Sequence, residues 1–389
     1  MTPDRLRTAV FFPPWHPPHE DPTLAIHRDL ELVEFLDKMN FDEAWIGEHH
    51  SGGFEIINSP EVFIAAAAER TKRIMLGTGV TSLPYHNPLT MAGRIMQLDH
   101  QTRGRFMLGV GPGQLQADAR MLGLDAAVQR DRMIESLEII LRLLGGENVT
   151  QESEWYTLRN AHLHLKPFTR PRPYIAIASA VTPTGAVLAG KHGLGLICLA
   201  ASVFAGYDVL DVNWAEACKS AAAHGKTMDR RDFRILLFMH LADTREQAIE
   251  NMEYGFKPWE DYSFSINPKT GMLGAGGMKG SIESGLAVFG TPDDAVAMLE
   301  RYWAKTGGFG TVMLPATNWA NNEATKRSFE LFQRYVMPKF AGRNTQRVAS
   351  LQWMHDNRNE FNSKFLAASQ AAIDKHFQGN MPAPKGAAE

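Results

Sequence analysis

Short, nearly uninterrupted apolar runs alternate along this chain with longer stretches in which apolar residues recur every three or four positions. The short runs occupy residues 8–12, 43–46, 74–80, 106–110, 174–178, 194–199, 235–241 and 311–314. A strand with one wet face alternates apolar and polar residues. Strands apolar at nearly every position are covered on both faces, as parallel strands are. The longer stretches predict helices. Residues 24–39 place Leu30, Leu32, Val33 and Leu36 at helical spacing behind Asp21-Pro22-Thr23, a cap with proline in the first turn. Helices over 60–70 and 88–101 begin at prolines after Asn58-Ser59 and Asn87. Those over 130–144, 183–192 and 292–305 stop at Gly145-Gly146, Gly193 and Gly307-Gly308, and one over 321–336 stops before Pro338. Eight strand–helix alternations predict an α/β fold, a closed (β/α)8 TIM barrel, rather than an open doubly wound sheet.

Such a barrel needs about 250 residues, and this chain has 389. The surplus is assigned to two insertions and an extension. Residues 148–168, containing WYTLRNAHLHL, read as a hairpin. Residues 253–289 carry the glycine-rich GMLGAGGMKG at 271–280, which cannot pack a core and reads as a mobile lid. The barrel domain is thus expected over 1–340. A helical C-terminal extension follows over 341–389, with its helix over 346–377 and a Pro/Gly/Ala-rich end expected to be disordered.

Composition narrows the class. The chain is 44% hydrophobic and 21% charged with a formal net charge of −3. That balance gives no electrostatic pull toward nucleic acid or an anionic membrane. No apolar run approaches a membrane span or a secretory signal. Cys198 and Cys218, the only cysteines, cannot build a disulfide framework or a thiolate metal site, which fits a reducing cytoplasm. Walker A, G-x-S-x-G and H-E-x-x-H motifs are absent, so nucleotide hydrolysis, α/β-hydrolase chemistry and zinc proteolysis are disfavoured.

In a barrel of this kind chemistry sits at the carboxyl ends of the strands. Glu48-His49-His50 follows the second strand directly. Histidine titrates near neutrality and both gives and accepts protons; two in a row beside a carboxylate at a strand exit form the leading catalytic candidate. After the third strand, Gly77 and Gly79 let backbone approach a flat ligand or simply shape a turn. Gly109-Val110-Gly111-Pro112-Gly113 is a poor dinucleotide fingerprint, because Pro112 interrupts it; Gly111 and Gly113 instead suit a side-chain-free floor under a planar ligand. Ser179 and Thr182 precede a helix start, where free N–H groups and the helix dipole favour an anion; a plain Thr182 N-cap is the competing reading. His162 and His164 share one face of an expected strand, without a third metal ligand in view, so no metal is assigned. His16 and His19 follow the first strand, and Phe11, Trp15, Phe54 and Tyr85 could wall an apolar pocket. Core packing is the default for any single one of these aromatics.

Residues 41–113, with FDEAWIGEHHSGG, LGTGVTSLPYHNP and RGRFMLGVGPG in order, resemble the N-terminal half of bacterial luciferase-like flavin monooxygenases. FGTPDDAVAMLERYWAKTGGFGTVML at 289–314 resembles their closing segment. The resemblance extends over most of 7–340 and is nearest to the limonene monooxygenase-like branch. It implies FMN, reduced by a separate NAD(P)H flavin reductase. Oxygen adds at flavin C4a, and the resulting hydroperoxide oxygenates a small apolar substrate such as a terpene, by epoxidation or Baeyer–Villiger insertion. His49 matches the family's catalytic histidine, oriented by His50 and Glu48. Gly79-Val80 match its often cis, non-proline link behind the flavin ring, and Ser179 and Thr182 match its phosphate-binding segment. A homodimer is implied, paired through the helices after strands two and three. One position departs: Pro112 stands where the luciferases carry a phosphate-binding arginine, which leaves FAD open beside FMN. A deazaflavin-dependent oxidoreductase and a non-catalytic flavin-binding barrel are the alternatives on the same fold.

Overall fold

The computed structural model describes residues 5–13, 15–266 and 276–380. Its centre is a ring of eight parallel strands: β1 (Arg7–Phe12), β2 (Glu43–Ile46), β3 (Met75–Thr78), β4 (Phe106–Gly111), β5 (Tyr174–Ser179), β6 (Gly195–Cys198), β7 (Phe233–Leu236) and β8 (Thr311–Pro315). Each pairs with its neighbours in chain order, and β8 returns to β1 in register from Arg7↔Thr311 to Phe11↔Pro315. The expected TIM barrel is therefore formed. Closure leaves no unpaired strand edge in the ring.

The apolar runs lack alternation because both faces of every strand are covered. Val10, Ile46, Leu76, Leu108, Ile177 and Val312 point outward into a core shared with the helices. Ala9, Trp45, Met107, Ala176, Ile197, Leu236 and Met313 point inward and fill the barrel. The interior packs large against small. A Cβ on Gly77 would stand 2.6 Å from the Trp45 ring, and one on Gly195 would collide with the Tyr174 hydroxyl. Gly77 thus makes room for an indole rather than for a ligand, which corrects the sequence expectation.

A charged pair crosses the barrel interior. Arg234 Nε and Nη2 donate to the two oxygens of Glu43 at 2.8 Å each, and the Trp45 indole N–H donates to the same carboxylate at 2.8 Å. Arg234 also donates to the Tyr174 hydroxyl at 2.5 Å and lies over that ring, 4.5 Å from its centroid. Burial opposes both charges. The partners outweigh it, holding Glu43 below and Arg234 above their ordinary pKa values.

Eight helices serve the argument below: α1 (Pro22–Lys38), α2 (Pro60–Arg70), α3 (Pro88–Gln101), α4 (Gln116–Met121), α5 (Ala126–Leu144), α6 (Thr184–His192), α7 (Phe256–Ile266) and α8 (Pro292–Thr306); all but α4 and α7 were expected from the sequence. Asp21 and Asn87 accept from backbone N–H groups of the first turns of α1 and α3. Ser59 does not cap; its hydroxyl donates to Glu61 instead. Gly193 and Gly307 end α6 and α8 at φ 62° and 69°, the left-handed region that glycine tolerates best. The expected stop before Pro338 does not occur. The helix Asn322–Leu331 passes through a π-helical turn, Phe332–Val336, into Met337–Phe340, and proline at the start of that last piece forfeits no internal bond.

The seventh apolar run, read as one strand over 235–241, is two. After Leu237 the chain leaves the ring, and Phe238–Leu241 pairs in parallel with Ala287–Gly290 from the insertion. The hairpin is present as Val149–Glu152 and Thr157–Ala161, with Glu135 of α5 accepting from Gln151, Ser153, Trp155 and Tyr156. The strand ends at Ala161, so His162 and His164 lie in the following loop and do not share a strand face. The 253–289 insertion contains α7 and the helix Gly277–Glu283; residues 267–275, with the first half of the glycine-rich stretch expected to form a lid, lie outside the described residues. Contacts divide the chain at 341/342. The second unit holds two helices, Thr345–Asp356 and Arg358–Asn380, where one was expected; its end, 381–389, lies outside the described residues.

Candidate active site

Glu48, His49 and His50 leave the barrel just past the carboxyl end of β2, and each is held differently. Glu48 is buried. It accepts from the Ser82 backbone N–H at 2.6 Å, His86 Nε2 at 2.6 Å and His50 Nε2 at 3.1 Å. Burial works against its charge, but these donors hold it below the ordinary carboxylate range. His50 is raised chiefly by its bond to Glu48. Its ring meets Tyr85 edge-on at 5.9 Å.

His49 sits between two carboxylates. Nδ1 lies 3.3 Å from Asp118 on α4, and Nε2 lies 2.8 Å from Glu55. Asp118 also accepts from the His50 backbone N–H at 3.1 Å and from the Ser51 hydroxyl. Burial penalises the imidazolium, yet the two carboxylates outweigh it and push its pKa up to about 10. His49 is therefore a fixed cation at neutral pH and does not act as a neutral base there. The sign for stability follows. A folded pKa above the ordinary 6.5 makes the ion pairs fully stabilising below about pH 6.5, and that contribution disappears as pH rises through about 10. Thermal melts should accordingly fall more steeply between pH 7 and 10 in the native protein than in Glu55→Gln; parallel curves would count against the pairing.

The remaining sequence candidates lie around the same mouth. The Gly79–Val80 peptide is cis. A Cβ on Gly111 would meet Val80 at 2.6 Å, and one on Gly113, at φ 88°, would strike the Tyr85 hydroxyl and stand 2.9 Å from Gln129 Nε2. The bare floor at Gly111 and Gly113 is thus used first by the protein's own side chains. Ser179 is buried at the end of β5 and donates to the Thr182 carbonyl at 3.2 Å. Thr182 is not the cap: Pro183 holds the N-cap position of α6, with no side chain accepting from its first turn. Those N–H groups and the helix dipole suit a phosphate. At Pro112 the carbonyl accepts from Gln129 at 3.0 Å, and this residue supplies no cation. Thr81 Oγ1, Trp15 Nε1 and Trp319 Nε1 are buried polar atoms without a hydrogen-bond partner among the described residues. Beyond the ends of β7 and β8, Phe238, Phe256, Trp259, Phe289 and Trp319 pack on one another with ring centroids 5.0–6.0 Å apart, continuous with the barrel interior.

His16, a second candidate, is buried in a structural network. Its Nε2 meets Asp29 at 2.8 Å, while Nδ1 faces Arg28 and Asn318 at 2.9 Å each, tying the β1 loop to α1 and the β8 loop. No group of three His, Cys, Asp or Glu side chains among the described residues could hold a metal ion. Sequence reasoning missed Glu55, His86, Asp118 and Tyr262. A lone carboxylate within the apolar Phe54–Ile57 run was the one available signal for Glu55.

A closed parallel barrel with a charge-paired histidine at its strand exits defines a barrel enzyme. The chain belongs to the luciferase-like monooxygenase family, whose profile matches residues 6–310. It is 43% identical over 385 residues to limonene 1,2-monooxygenase of Rhodococcus erythropolis, covering 97% of this chain and 98% of that one. It is also 43% identical over 364 residues to 4-hydroxyprotoasukamycin monooxygenase of Streptomyces nodosus subsp. asukaensis, covering 90% and 96%. Its fold matches the oxygenating constituent of 3,6-diketocamphane monooxygenase of Pseudomonas putida, a structure in complex with FMN, with a TM-score of 0.72 at 24% identity over 87% of this chain and 99% of that one.

Proposed function

We propose that this chain is the oxygenating component of a two-component monooxygenase. It takes FMN reduced by a separate NAD(P)H flavin reductase and transfers one atom of O2 to a small apolar, terpene-like substrate, by epoxidation or Baeyer–Villiger insertion. The observation that carries this reading is near full-length similarity to limonene 1,2-monooxygenase, at 43% identity, joined to an intact Glu48-His49-His50 site. Reduced flavin, when bound, supplies the two electrons that activate oxygen. The residues present suit it. Ser179 and the first N–H groups of α6 would hold its phosphate in place of the arginine absent at Pro112, and the backbone at Gly79 and Val80 would border its ring.

The chain's own side chains then have distinct tasks. His49, cationic at working pH with its two ring nitrogens held by Glu55 and Asp118, offers positive charge where negative charge builds on oxygen. Glu48 fixes His50 and His86. The aromatic cluster beyond β7 and β8 excludes water and offers an apolar wall. A cytoplasmic homodimer completes the reading. The test is conversion of limonene by purified protein with a flavin reductase, FMN and NADH. Product carrying one 18O atom from labelled O2 is expected; no oxygen uptake with any reduced flavin would end the proposal.

A further inference from the structure

We infer that Tyr262, on α7 of the 253–289 insertion, is a positioning residue for His49 and acts on it through Glu55. The inference rests on the assignment of His49 to the reacting centre. The Tyr262 hydroxyl donates to Glu55 Oε1 at 3.0 Å across 207 residues of sequence. The other oxygen, Oε2, lies 2.8 Å from His49 Nε2. That second approach is an ion contact rather than a well-directed hydrogen bond, since Oε2 is buried without a hydrogen-bond partner among the described residues. Glu55 is 8% exposed, so water does not hold it. The carboxylate's orientation toward the imidazole therefore depends on what grips its other end, and that is Tyr262.

The loop carrying Glu55 is built to receive this tyrosine. A backbone bridge joins Trp15 to Glu55, and the His16 N–H donates to the Phe54 carbonyl at 2.7 Å. Phe54 stacks on Trp15 at 5.3 Å and meets the Tyr262 ring on its other side at 4.8 Å. Gly52, at φ 85°, admits the ring: a Cβ there would stand 3.3 Å from the Tyr262 hydroxyl. Tyr262 is thus both packed against the loop and bonded to the buried Glu55 carboxylate. Burial and Glu55 raise the Tyr262 pKa, so the hydroxyl keeps its proton and remains a donor. The consequence is a direct mechanical link. The segment that contributes Phe256 and Trp259 to the aromatic wall also holds, through Tyr262, the carboxylate beside the charged imidazole.

The titratable groups around His49 are Glu55 on its own loop, Asp118 from α4, His50 beside it with Glu48 behind, and Tyr262 from α7. The test follows the His49 ring by NMR titration in the flavin-free, full-length protein, so it reads the link whether or not the oxygenase reading survives. Glu55→Gln is expected to lower the His49 titration midpoint by at least about one pH unit, tenfold in proton affinity. Tyr262→Phe, which keeps the ring and removes the donor, should move it the same way by less. In the Glu55→Gln background, adding Tyr262→Phe should change nothing further. A midpoint indifferent to Tyr262→Phe, or an equal shift in both backgrounds, would overturn the inference. Should Glu55→Gln fail to fold, the Tyr262→Phe titration decides it alone.

Discussion

His49→Ala is expected to cut oxygenated product by about 100-fold or more, on the scale of a lost proton-transfer or charge-stabilising group. Oxygen uptake should continue and appear as hydrogen peroxide. The reason lies in what surrounds the ring. Glu55 and Asp118 approach it at 2.8 Å and 3.3 Å and hold it as a cation. Alanine removes the only positive charge between two carboxylates, leaving like charges to repel across a hole and nothing to meet negative charge on oxygen. The measurement is paired: an oxygen electrode for uptake, and product and peroxide quantified from the same reaction. A melt alongside separates misfolding from chemistry, because the site loop is clamped by Trp15 and Tyr262 as well as by His49. Unchanged coupling of uptake to product would remove His49 from the role.

Arg234→Met carries the largest expected effect on stability, a loss of about 3–5 kcal/mol, the usual result of stranding one member of a buried ion pair. Glu43 would keep only the Trp45 indole and a distant Arg7 contact at 3.7 Å. The Tyr174 hydroxyl would lose its donor as well. The double replacement Glu43→Leu with Arg234→Met removes the charge together with its partner, and should recover most of the loss. Chemical denaturation midpoints of the two variants test this. Equal destabilisation would mean that the pair matters for shape rather than for charge compensation.

The barrel was readable because its cause is local. Strands covered on both faces are apolar at nearly every position, and Asp21, Asn87, Gly193 and Gly307 punctuate helices by chemistry confined to three or four residues. The split of the seventh strand was not readable: ILLFMHLA is apolar but for His240, and the change of partner at Leu237 is set by Ala287–Gly290, fifty residues on. The site divided the same way. Glu48, His49 and His50 are adjacent in sequence and were found together. Asp118 and Tyr262 reach the loop across 69 and 207 residues, and no periodicity announces such contacts. Gly77, Gly111 and Gly113 were noticed for the right property, a missing side chain, but their space is taken by Trp45, Val80 and Tyr85. Sequence shows that a gap exists and not which neighbour fills it.

The chain's exit from the ring after Leu237 has a bearing on how such an enzyme changes its substrate. Phe238–Leu241 pairs with Ala287–Gly290, while the Phe238 and Leu241 N–H groups donate to the Ser202 and Ser328 hydroxyls, so the 253–289 excursion hangs from a parallel ladder separate from the eight-strand ring. Mutations between those two anchors are expected to remodel the apolar wall while the eight-strand ring stays closed, so that folding and wall shape can be varied separately.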